Sequence, residues 1–461
     1  MDIDIPTTRH NNWFFGEKSM NGLKLGLAAA TAAATIGAAT SAFAATEIQF
    51  WHAMGGGTTG EKVAEYAQRF NESQDQYEVN AVYKGTYTET LTAAIAAFRA
   101  RQQPHIVQVF EVGTASMMAA EGAVYPVYEL MEATAKTFDP DDYLDAVKSY
   151  YTTPNGDMLS MPFNSSTPVV YYNKDAFKKA GLDPDNPPKT WEGLVEASRK
   201  IMAVEGNPTC GFTTGWQSWV QLENFGAMHN VPFATKANGF EGVDTSLVFN
   251  QEPFTTHIQN MQDWQEDRVF VYGGRRGDPN PLFLTGECAM LMNSSAYYGS
   301  VKEGAGFDWG IAQLPYYDSV EGAPQNSIIG GATLWVLQGH DDEAYAGVAE
   351  FMNFLSSPEI QLDWHKSTGY VPITNSAYEA AKDEGFYKEA PGADVAIKQL
   401  TMDEPTEYSK GLRLGNFVQI RDIINEELEA VWSGDKSADQ ALDSAVNRGN
   451  ELLRKFEESV N

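Results

Sequence analysis

The sequence predicts an α/β protein of two lobes with a cleft between them, and three observations lead to this fold class. Apolar strands and amphipathic helices alternate along the chain, a pattern typical of a mostly parallel sheet. The chain left after a predicted N-terminal cleavage, 461 − 44 = 417 residues, is long for a single hydrophobic core. Short connections near 164–167 and 293–298 join two strand–helix blocks without a low-complexity linker, which favours discontinuous domains with a hinge.

The N-terminus predicts a secretory signal peptide over residues 20–44. Lys24 precedes an apolar run rich in Ala and Thr, and the run ends in Ala42-Phe-Ala44, a small-residue cleavage site. Translation is expected to start at Met20, so residues 1–19 are a doubtful prefix. A permanent helix anchor is the alternative, and the weak apolarity of the run argues against it. The mature protein is therefore expected in the periplasm.

The net charge of −30 limits the classes of partner. Residues 1–44 carry three basic and three acidic side chains, so the mature chain keeps the whole of this charge. Such an acidic protein is a poor match for nucleic acid or for an anionic membrane surface. It also repels anionic ligands at long range, so any anion site must be built from local donors.

The first α/β block follows the predicted cleavage site. Its predicted strands are 46–50, 77–83 and 106–110. The first of its two predicted helices has Val63, Ala67 and Phe70 on one face, and the second spans residues 90–101. Ligands bind beyond the carboxyl ends of the strands in such sheets. The residues that follow predicted strands are therefore expected to line a cleft: Trp51-His52, Tyr87 and Glu111.

A second block begins near residue 169. Its predicted strands are 169–172, 288–292, 308–316 and 331–337, and its predicted helices are one led by Trp191 and those at 343–355, 418–432 and 438–456. With crossings at the two short connections, the first lobe is expected to comprise residues 45–164 plus 298–340. The second is expected to comprise residues 165–297 plus 341–461.

The two cysteines, Cys210 and Cys288, leave a disulfide and two free thiols as alternatives. An exported protein meets an oxidising compartment, which favours pairing. Two thiols alone are a poor metal site, and the few scattered histidines form no hydrolytic metal motif. No metal and no cofactor are expected, and no nucleophile–base pair indicates an enzyme.

Two motifs that resemble functional sites have simpler interpretations. Gly55-x4-Gly60 departs from a phosphate-binding P-loop because Glu61 occupies the position of the lysine. The glycines could still bring backbone N–H groups close to a ligand. His340-Asp341-Asp342 resembles a metal cluster, but an aspartate directly before a helix is ordinarily its N-cap.

Two further features suit a small polar ligand. Trp216 and Trp219, flanked by small polar residues, favour a half-exposed aromatic wall, with burial of both rings in the core as the alternative. Arg421 lies beside an apolar helix stripe and could reach into a cleft to chelate a phosphate. A surface ion pair four or five residues along the helix, near Glu426, is its alternative.

A series of short motifs resembles one known family along essentially the whole mature chain. They are Tyr83-Lys-Gly-Thr-Tyr87, Phe98-Arg-Ala, Val109-Phe-Glu-Val-Gly-Thr114, Pro162-Phe-Asn-Ser-Ser-Thr-Pro168, Tyr171-Tyr-Asn-Lys-Asp-Ala-Phe177, Gly215-Trp-Gln-x-Trp219, Ile328-Ile-Gly-Gly331, Thr368-Gly-Tyr370 and Lys410-Gly-Leu-Arg-Leu-Gly-Asn416. The family is that of the periplasmic sn-glycerol-3-phosphate-binding receptors of ABC importers, within extracellular solute-binding protein family 1. This resemblance implies a bilobal periplasmic-binding-protein fold like that of maltose-binding proteins (type II).

The resemblance also implies a ligand shell. Its members are Tyr87, Glu111, the pair Ser165/Ser166 (which of the two matches is left open), Trp216, Trp219, Ser294, Gly331, Tyr370 and Arg421. Arg421 would supply the positive charge for the phosphate, with hydroxyls and the Gly331 N–H as further donors. Glu111 would repel a phosphate, so it is expected at the other end, where it accepts from glycerol hydroxyls.

The function implied is that of a monomeric, non-catalytic receptor. It would capture glycerol 3-phosphate by closing its lobes and deliver it to the membrane subunits of an ABC importer. Three alternatives stay open: a receptor for glycerophosphodiesters such as glycerophosphocholine, a sugar receptor, and, in another class, a secreted phosphoric-ester hydrolase.

Overall fold

The computed structural model describes residues 45–120 and 122–461, and the predicted signal peptide lies outside these residues. The strands within this part of the chain are β1 (Thr46–His52), β2 (Tyr77–Tyr83), β3 (Ile106–Phe110), β4 (Val124–Tyr125), β5 (Met161–Ser166), β6 (Pro168–Asn173), β7 (Cys210–Thr214), β8 (Cys288–Ser294), β9 (Trp309–Ala312) and β10 (Gly330–Leu337). None of the helices in this part of the chain has the length and apolarity that a bilayer crossing requires.

The helical segments cover most of the intervening chain. They are α1 (Thr58–Ser73), α2 (Tyr87–Arg99), α3 (Thr114–Met118), α4 (Val127–Ala133), α5 (Asp145–Lys148), α6 (Lys174–Lys179), α7 (Trp191–Met202), α8 (Phe225–Met228), α9 (Thr235–Gly239, which contains left-handed residues), α10 (Phe254–Glu266), α11 (Asn280–Leu284), α12 (Tyr298–Gly304), α13 (Asp342–Leu355), α14 (Pro358–Thr368), α15 (Asn375–Asp383), α16 (Phe386–Glu389), α17 (Val395–Leu400), α18 (Phe417–Trp432) and α19 (Ala438–Val460). The strands and helices predicted from periodicity appear within a few residues of their expected bounds.

The strands form two sheets, which confirms the predicted α/β fold with two lobes. The first sheet has the order β2-β1-β3-β10-β4, and β5 also pairs with β10. The second has the order β7-β8-β6-β9. All residues of β3 are buried, and β3 ends directly before Glu111, which places this side chain at the carboxyl edge of the first sheet.

The prediction of mostly parallel strands is wrong. Three of the eight pairings are parallel and five are antiparallel. The physical reason lies in the chain path. Strand β10 runs opposite to its three neighbours in the first sheet, and β6 runs opposite to its two neighbours in the second, so these two strands account for all five antiparallel pairings.

The chain crosses between the sheets where the first short connection predicts it. Strand β5 pairs with β10, and after Thr167 the next strand, β6, pairs with β8. After β8, helix α12 packs against α14. Strand β9, which lies in the segment 298–340, then pairs with β6 in the second sheet. Helix α13, which follows that segment, packs on β1 of the first sheet.

Cys210 and Cys288 form a disulfide bond, which decides between the two alternatives. They are register partners on the neighbouring strands β7 and β8, and both are fully buried. The bond therefore joins two strands of the second sheet that are 78 residues apart in sequence.

Removing this bond is expected to lower the free energy of unfolding by about 2–4 kcal/mol, because the unfolded chain gains the freedom of a long loop. Urea unfolding of the variant Cys210→Ala/Cys288→Ala measures the difference. Neither cysteine lines the cavity described below, so its ligand affinity should stay the same. A midpoint equal to that of the oxidised parent would contradict the expectation.

Candidate functional site

Residues from both sheets line one cavity of about 290 Å³. Small-molecule sites usually measure roughly 300–1,000 Å³, so this cavity suits a ligand of a few carbons. Its lining residues are Tyr87, Phe110, Glu111, Ser166, Trp216, Trp219, Gly277, Asn280, Asn293, Ser294, Ala296, Tyr297, Gly330, Gly331, Tyr370 and Arg421. Aromatic rings, neutral hydrogen-bonding groups and one charged cluster thus share a single space.

Nine of the ten residues in the expected ligand shell line this cavity, and Ser165 does not. Ser165 is fully buried on β5, where its carbonyl accepts a hydrogen bond from the Val371 N–H at 2.8 Å. Successive side chains on a strand point to opposite faces. Ser166 therefore faces the cavity and Ser165 faces away from it, a choice that the two adjacent serines left open in the sequence.

The Tyr87 hydroxyl is held by a buried amide chain. Tyr87 is the first residue of α2, and Thr86 and Glu89 cap this helix reciprocally. The Asn164 Nδ2 donates to the Tyr87 hydroxyl at 2.8 Å, and Gln108 donates to Asn164 Oδ1 at 2.7 Å. Because the hydroxyl oxygen accepts from Asn164, the hydroxyl keeps its own proton to donate, and the neighbouring Tyr370 hydroxyl is one acceptor within its reach. Burial raises the pKa of Tyr87 well above its usual value, which keeps this proton in place.

Tyr370 is a second neutral donor with a fixed position. Its ring stacks on Trp364 at a centroid distance of 5.4 Å and an interplanar angle of 10°. His365 lies 2.6 Å from the Tyr370 carbonyl oxygen through Nδ1, and Tyr387 lies 2.9 Å from the other ring nitrogen. Burial lowers the pKa of His365 to about 4, so the ring is neutral. Burial also raises the pKa of Tyr370, which remains protonated.

Two glycines allow the backbone of β10 to pass close to its neighbours. Gly331 has a φ of +102°, and a Cβ there would lie 1.9 Å from the Asn164 carbonyl oxygen. A Cβ on Gly330 would lie 2.5 Å from the Trp219 ring. Only glycine fits at these two positions, and the close approach brings this backbone to the cavity surface.

Trp216 and Trp219 both line the cavity, as the aromatic-wall interpretation expects. Trp219 is nevertheless 95% buried, and its indole N–H donates to the Ile329 carbonyl oxygen at 3.4 Å. Its ring face is therefore the part offered to a ligand. Trp216 is less buried and has a left-handed backbone, with a φ of 48°.

Arg421 pairs with two buried carboxylates. Its Nε and Nη2 donate to the two oxygens of Glu223 at 2.7 and 2.6 Å, and Nη2 lies 2.7 Å from Glu111 Oε1. Its alternative partner on the helix, Glu426, instead pairs with Arg448. The guanidinium thus keeps only its Nη1 edge free of these carboxylates.

This cluster corrects the expected separation of Glu111 from the positive charge. Glu111 was expected at the opposite end of the ligand from Arg421, and the two side chains are in contact. With Glu223 included, the three groups carry a formal charge of −1, so this end of the cavity offers no net positive charge to a phosphate. Burial by itself lowers the pKa of Arg421, but the carboxylates outweigh it and the pKa is raised. Burial raises the pKa of Glu111.

Sequence reasoning missed Glu223, which belongs to the buried π-helical segment Trp219–Asn224. It is 98% buried and also accepts a hydrogen bond from the Ser218 hydroxyl at 2.9 Å. Glu223 is the one charged residue between Val220 and Met228, and this is the signal that could have found it, since isolated charges are rarely buried without a partner.

The glycine motif of residues 55–60 and the motif His340-Asp341-Asp342 both lie outside the cavity. Asp341 is the N-cap of α13, and its carboxylate accepts from the Ala344 N–H at 2.9 Å, which confirms the capping prediction. None of the residues 55–60 lines the cavity. Within residues 45–120 and 122–461, no group of three or more histidine, cysteine and acidic side chains is arranged to hold a metal ion.

Comparisons with known proteins agree on one family. The family of bacterial extracellular solute-binding proteins matches residues 65–394. The chain is 50% identical, over 93% of its length and 97% of the relative's, to the sn-glycerol-3-phosphate-binding periplasmic protein UgpB of Pectobacterium atrosepticum. It is 49% identical, over 91% of its length and 95% of the relative's, to the protein of the same name from Salmonella typhimurium.

Two solved structures show the same fold. One is the cyclic alpha-maltosyl-1,6-maltose binding protein from Arthrobacter globiformis, with 24% identity, a TM-score of 0.71, and coverage of 89% of this chain and 100% of the other. The second is UgpB from Mycobacterium tuberculosis in complex with glycerophosphocholine, with 21% identity, a TM-score of 0.75, and coverage of 89% and 99%.

Proposed function

The chain belongs to the family of bacterial extracellular solute-binding proteins, and we propose that it is the periplasmic receptor that captures sn-glycerol 3-phosphate for an ABC importer. One observation carries this proposal: a single cavity joins a set of neutral hydrogen-bond donors to an Arg–carboxylate cluster, with tryptophan rings beside both. A phosphate, a diol and a short carbon chain need these three surfaces.

The cluster charge determines how we place the ligand. A formal charge of −1 at Arg421 repels a phosphate, so the phosphate belongs with the neutral donors. These are the hydroxyls of Tyr87, Ser166, Ser294 and Tyr370 and the backbone of Gly331, all of which line the cavity. Neutral donors aimed at one point can hold an anion without a counter-ion.

The glycerol end then faces Arg421 and Glu111. A hydroxyl group both donates and accepts, so it can accept from the free Nη1 edge of Arg421 and donate to Glu111. The rings of Trp216 and Trp219 would cover the carbon chain. This orientation keeps the expected role of Glu111 and changes that of Arg421, from a phosphate ligand to a ligand of the hydroxyls.

Closure of the lobes would assemble this shell. Tyr87, Glu111 and Gly331 belong to the first sheet and its connections, whereas Ser294 ends β8 of the second sheet. Arg421 lies on α18, whose Trp432 packs against Phe270 beside β7 of the second sheet. We therefore propose that the lobes follow the sheets, with β9 and α18 in the second and β10 and α13 in the first. A ligand that contacts both lobes only when they are closed shifts the population to the closed form.

A glycerophosphodiester such as glycerophosphocholine is the second candidate, and one observation favours it. The cavity extends beyond the expected shell to Gly277, Asn280, Asn293 and Tyr297. These residues could surround a group attached to the phosphate. A diester carries only one negative charge, which also suits a site whose donors are neutral.

Thermal unfolding with glycerol 3-phosphate, glycerophosphocholine and maltose tests the proposal. A ligand that binds only the native state, supplied at a concentration 1,000 times its Kd, stabilises the protein by about 4 kcal/mol. The melting point should therefore rise with glycerol 3-phosphate and not with maltose. Calorimetry then ranks the monoester and the diester. A rise with maltose alone would assign the receptor to sugars, and phosphate released from glycerol 3-phosphate in proportion to the protein would assign it to the hydrolases.

A further inference from the structure

We propose that Glu223 is a specificity-determining residue: its charge makes the Arg421 end of the cavity accept hydroxyl groups and disfavour ligands with an anionic group there. The inference rests on the proposed function and extends it from one ligand to a class. The class is that of phosphates whose far end is a neutral diol, as opposed to phosphorylated three-carbon acids.

The geometry shows more negative charge than pairing requires. Glu111 alone would neutralise Arg421, because their atoms lie 2.7 Å apart. Glu223 adds a second carboxylate, and both of its oxygens accept from the guanidinium. A simple counter-ion role for Glu111 therefore leaves the presence of Glu223 unexplained.

Burial makes this second charge effective at a distance. The side chain of Glu223 is 99% buried and that of Arg421 is 89% buried, so solvent screens the cluster weakly. Glu223 does not line the cavity, and it acts on a ligand through its field and through the orientation of Arg421. The bidentate pair also leaves the Nη1 atom of Arg421, a residue that lines the cavity, free of both carboxylates.

The consequence depends on what the ligand carries at its far end. A hydroxyl group donates to Glu111 and accepts from Arg421. A carboxylate in the same place accepts only, so it leaves Glu111 without a proton donor and adds a second negative charge to a cluster that is already negative. Glycerol 3-phosphate and 3-phosphoglycerate differ in this group, and they form a matched pair of probes.

The first experiment uses the wild-type protein and isothermal calorimetry with these two compounds. Glycerol 3-phosphate should bind at least about 100-fold more tightly than 3-phosphoglycerate, because the like charges lie in a poorly screened site. Equal affinities would overturn the role of Glu223. Failure to bind glycerol 3-phosphate at all would instead overturn the proposed function, so the two failures are distinguishable.

The second experiment compares Glu223→Gln with Glu223→Asp. Loss of one charge in Glu223→Gln should narrow the affinity ratio between the two probes by about tenfold. Glu223→Asp keeps the charge and should keep the ratio, even where both affinities fall. A merely structural role for Glu223 would lower both affinities by the same factor in both variants, and that result overturns the proposal.

Glu429→Gln is the matched control. Glu429 forms a bidentate pair with Arg275 at 2.7 and 2.6 Å, and neither residue lines the cavity. Glu429→Gln removes one negative charge, as Glu223→Gln does, and it does so on the helix that carries Arg421. The affinity ratio should stay within about twofold of wild type, which is the size of a surface charge effect. An equal shift in this control would assign the effect to total charge and overturn the role of Glu223.

Discussion

The variant Arg421→Ala is expected to lose about 3–5 kcal/mol of folding free energy, in addition to its ligand affinity. Removing one partner of a buried ion pair leaves the other charge without compensation, and here two carboxylates, Glu111 and Glu223, would remain. This differs from the expectation for a guanidinium that only projects into a cleft, whose loss would leave the fold intact. Urea unfolding without ligand measures the difference.

The loss should depend on pH in a direction that identifies its cause. Without Arg421, two carboxyl groups would stay buried side by side, and burial already raises the pKa of Glu111 above its usual value. Acids whose pKa is raised by folding stabilise the protein below the unfolded pKa, and this contribution disappears as the pH rises through the folded pKa. The deficit of Arg421→Ala relative to wild type should therefore shrink as the pH falls from 7 towards 4.

A charge-matched variant is the control for this prediction. Adding Glu111→Gln and Glu223→Gln to Arg421→Ala removes both stranded charges, so much of the lost stability should return without any return of ligand affinity. Wild-type stability of Arg421→Ala at pH 7 would contradict the paired cluster and would return Arg421 to the role of a free phosphate ligand.

The variant Gly331→Ala is expected to lower the affinity for glycerol 3-phosphate at least about 100-fold, or roughly 3 kcal/mol. The backbone at this position has a φ of +102°, and an added Cβ would lie 1.9 Å from the Asn164 carbonyl oxygen. Strain of this kind costs about 1–3 kcal/mol and forces β5 and β10 apart. Asn164 also orients the Tyr87 hydroxyl, so the donor set would be displaced.

Gly306→Ala is the matched control for this substitution. Gly306 is exposed, and an added Cβ would meet no atom within 4 Å. It should bind ligand and unfold as wild type does, since no contact changes. Calorimetry on both variants, with the unfolding midpoint as a check on the fold, separates the two cases. Wild-type affinity in Gly331→Ala would show that the close approach of these strands does not support the site.

The secondary structure was predictable because it depends on local patterns. The alternation in residues 77–83 and 106–110 predicts strands with the bounds that the structure has. The capping aspartate Asp341 was also found from its neighbours in the sequence. The strand directions were not predictable, because β5, β6, β9 and β10 pair with strands far away in sequence.

The cavity residues that belong to a family motif were predictable from the sequence. Those whose position depends on strand register or on a distant partner were not. Ser165 and Ser166 are alike in sequence, and only the register of β5 turns one towards the cavity. Glu223 gave a weak signal because its partner Arg421 is 198 residues away. The link between Cys210 and Cys288 depends in the same way on the pairing of two distant strands.

By itself, the sequence determined the α/β elements, the family and nine of the residues that line the cavity. Tertiary structure alone decided the charge of that cavity. The Arg421 guanidinium is positive in the sequence, but the fold places Glu111 and Glu223 against it, and the three groups together carry a formal charge of −1. Electrostatic energy depends on the distances between charges and on their burial, and neither quantity can be read from one residue and its neighbours along the chain.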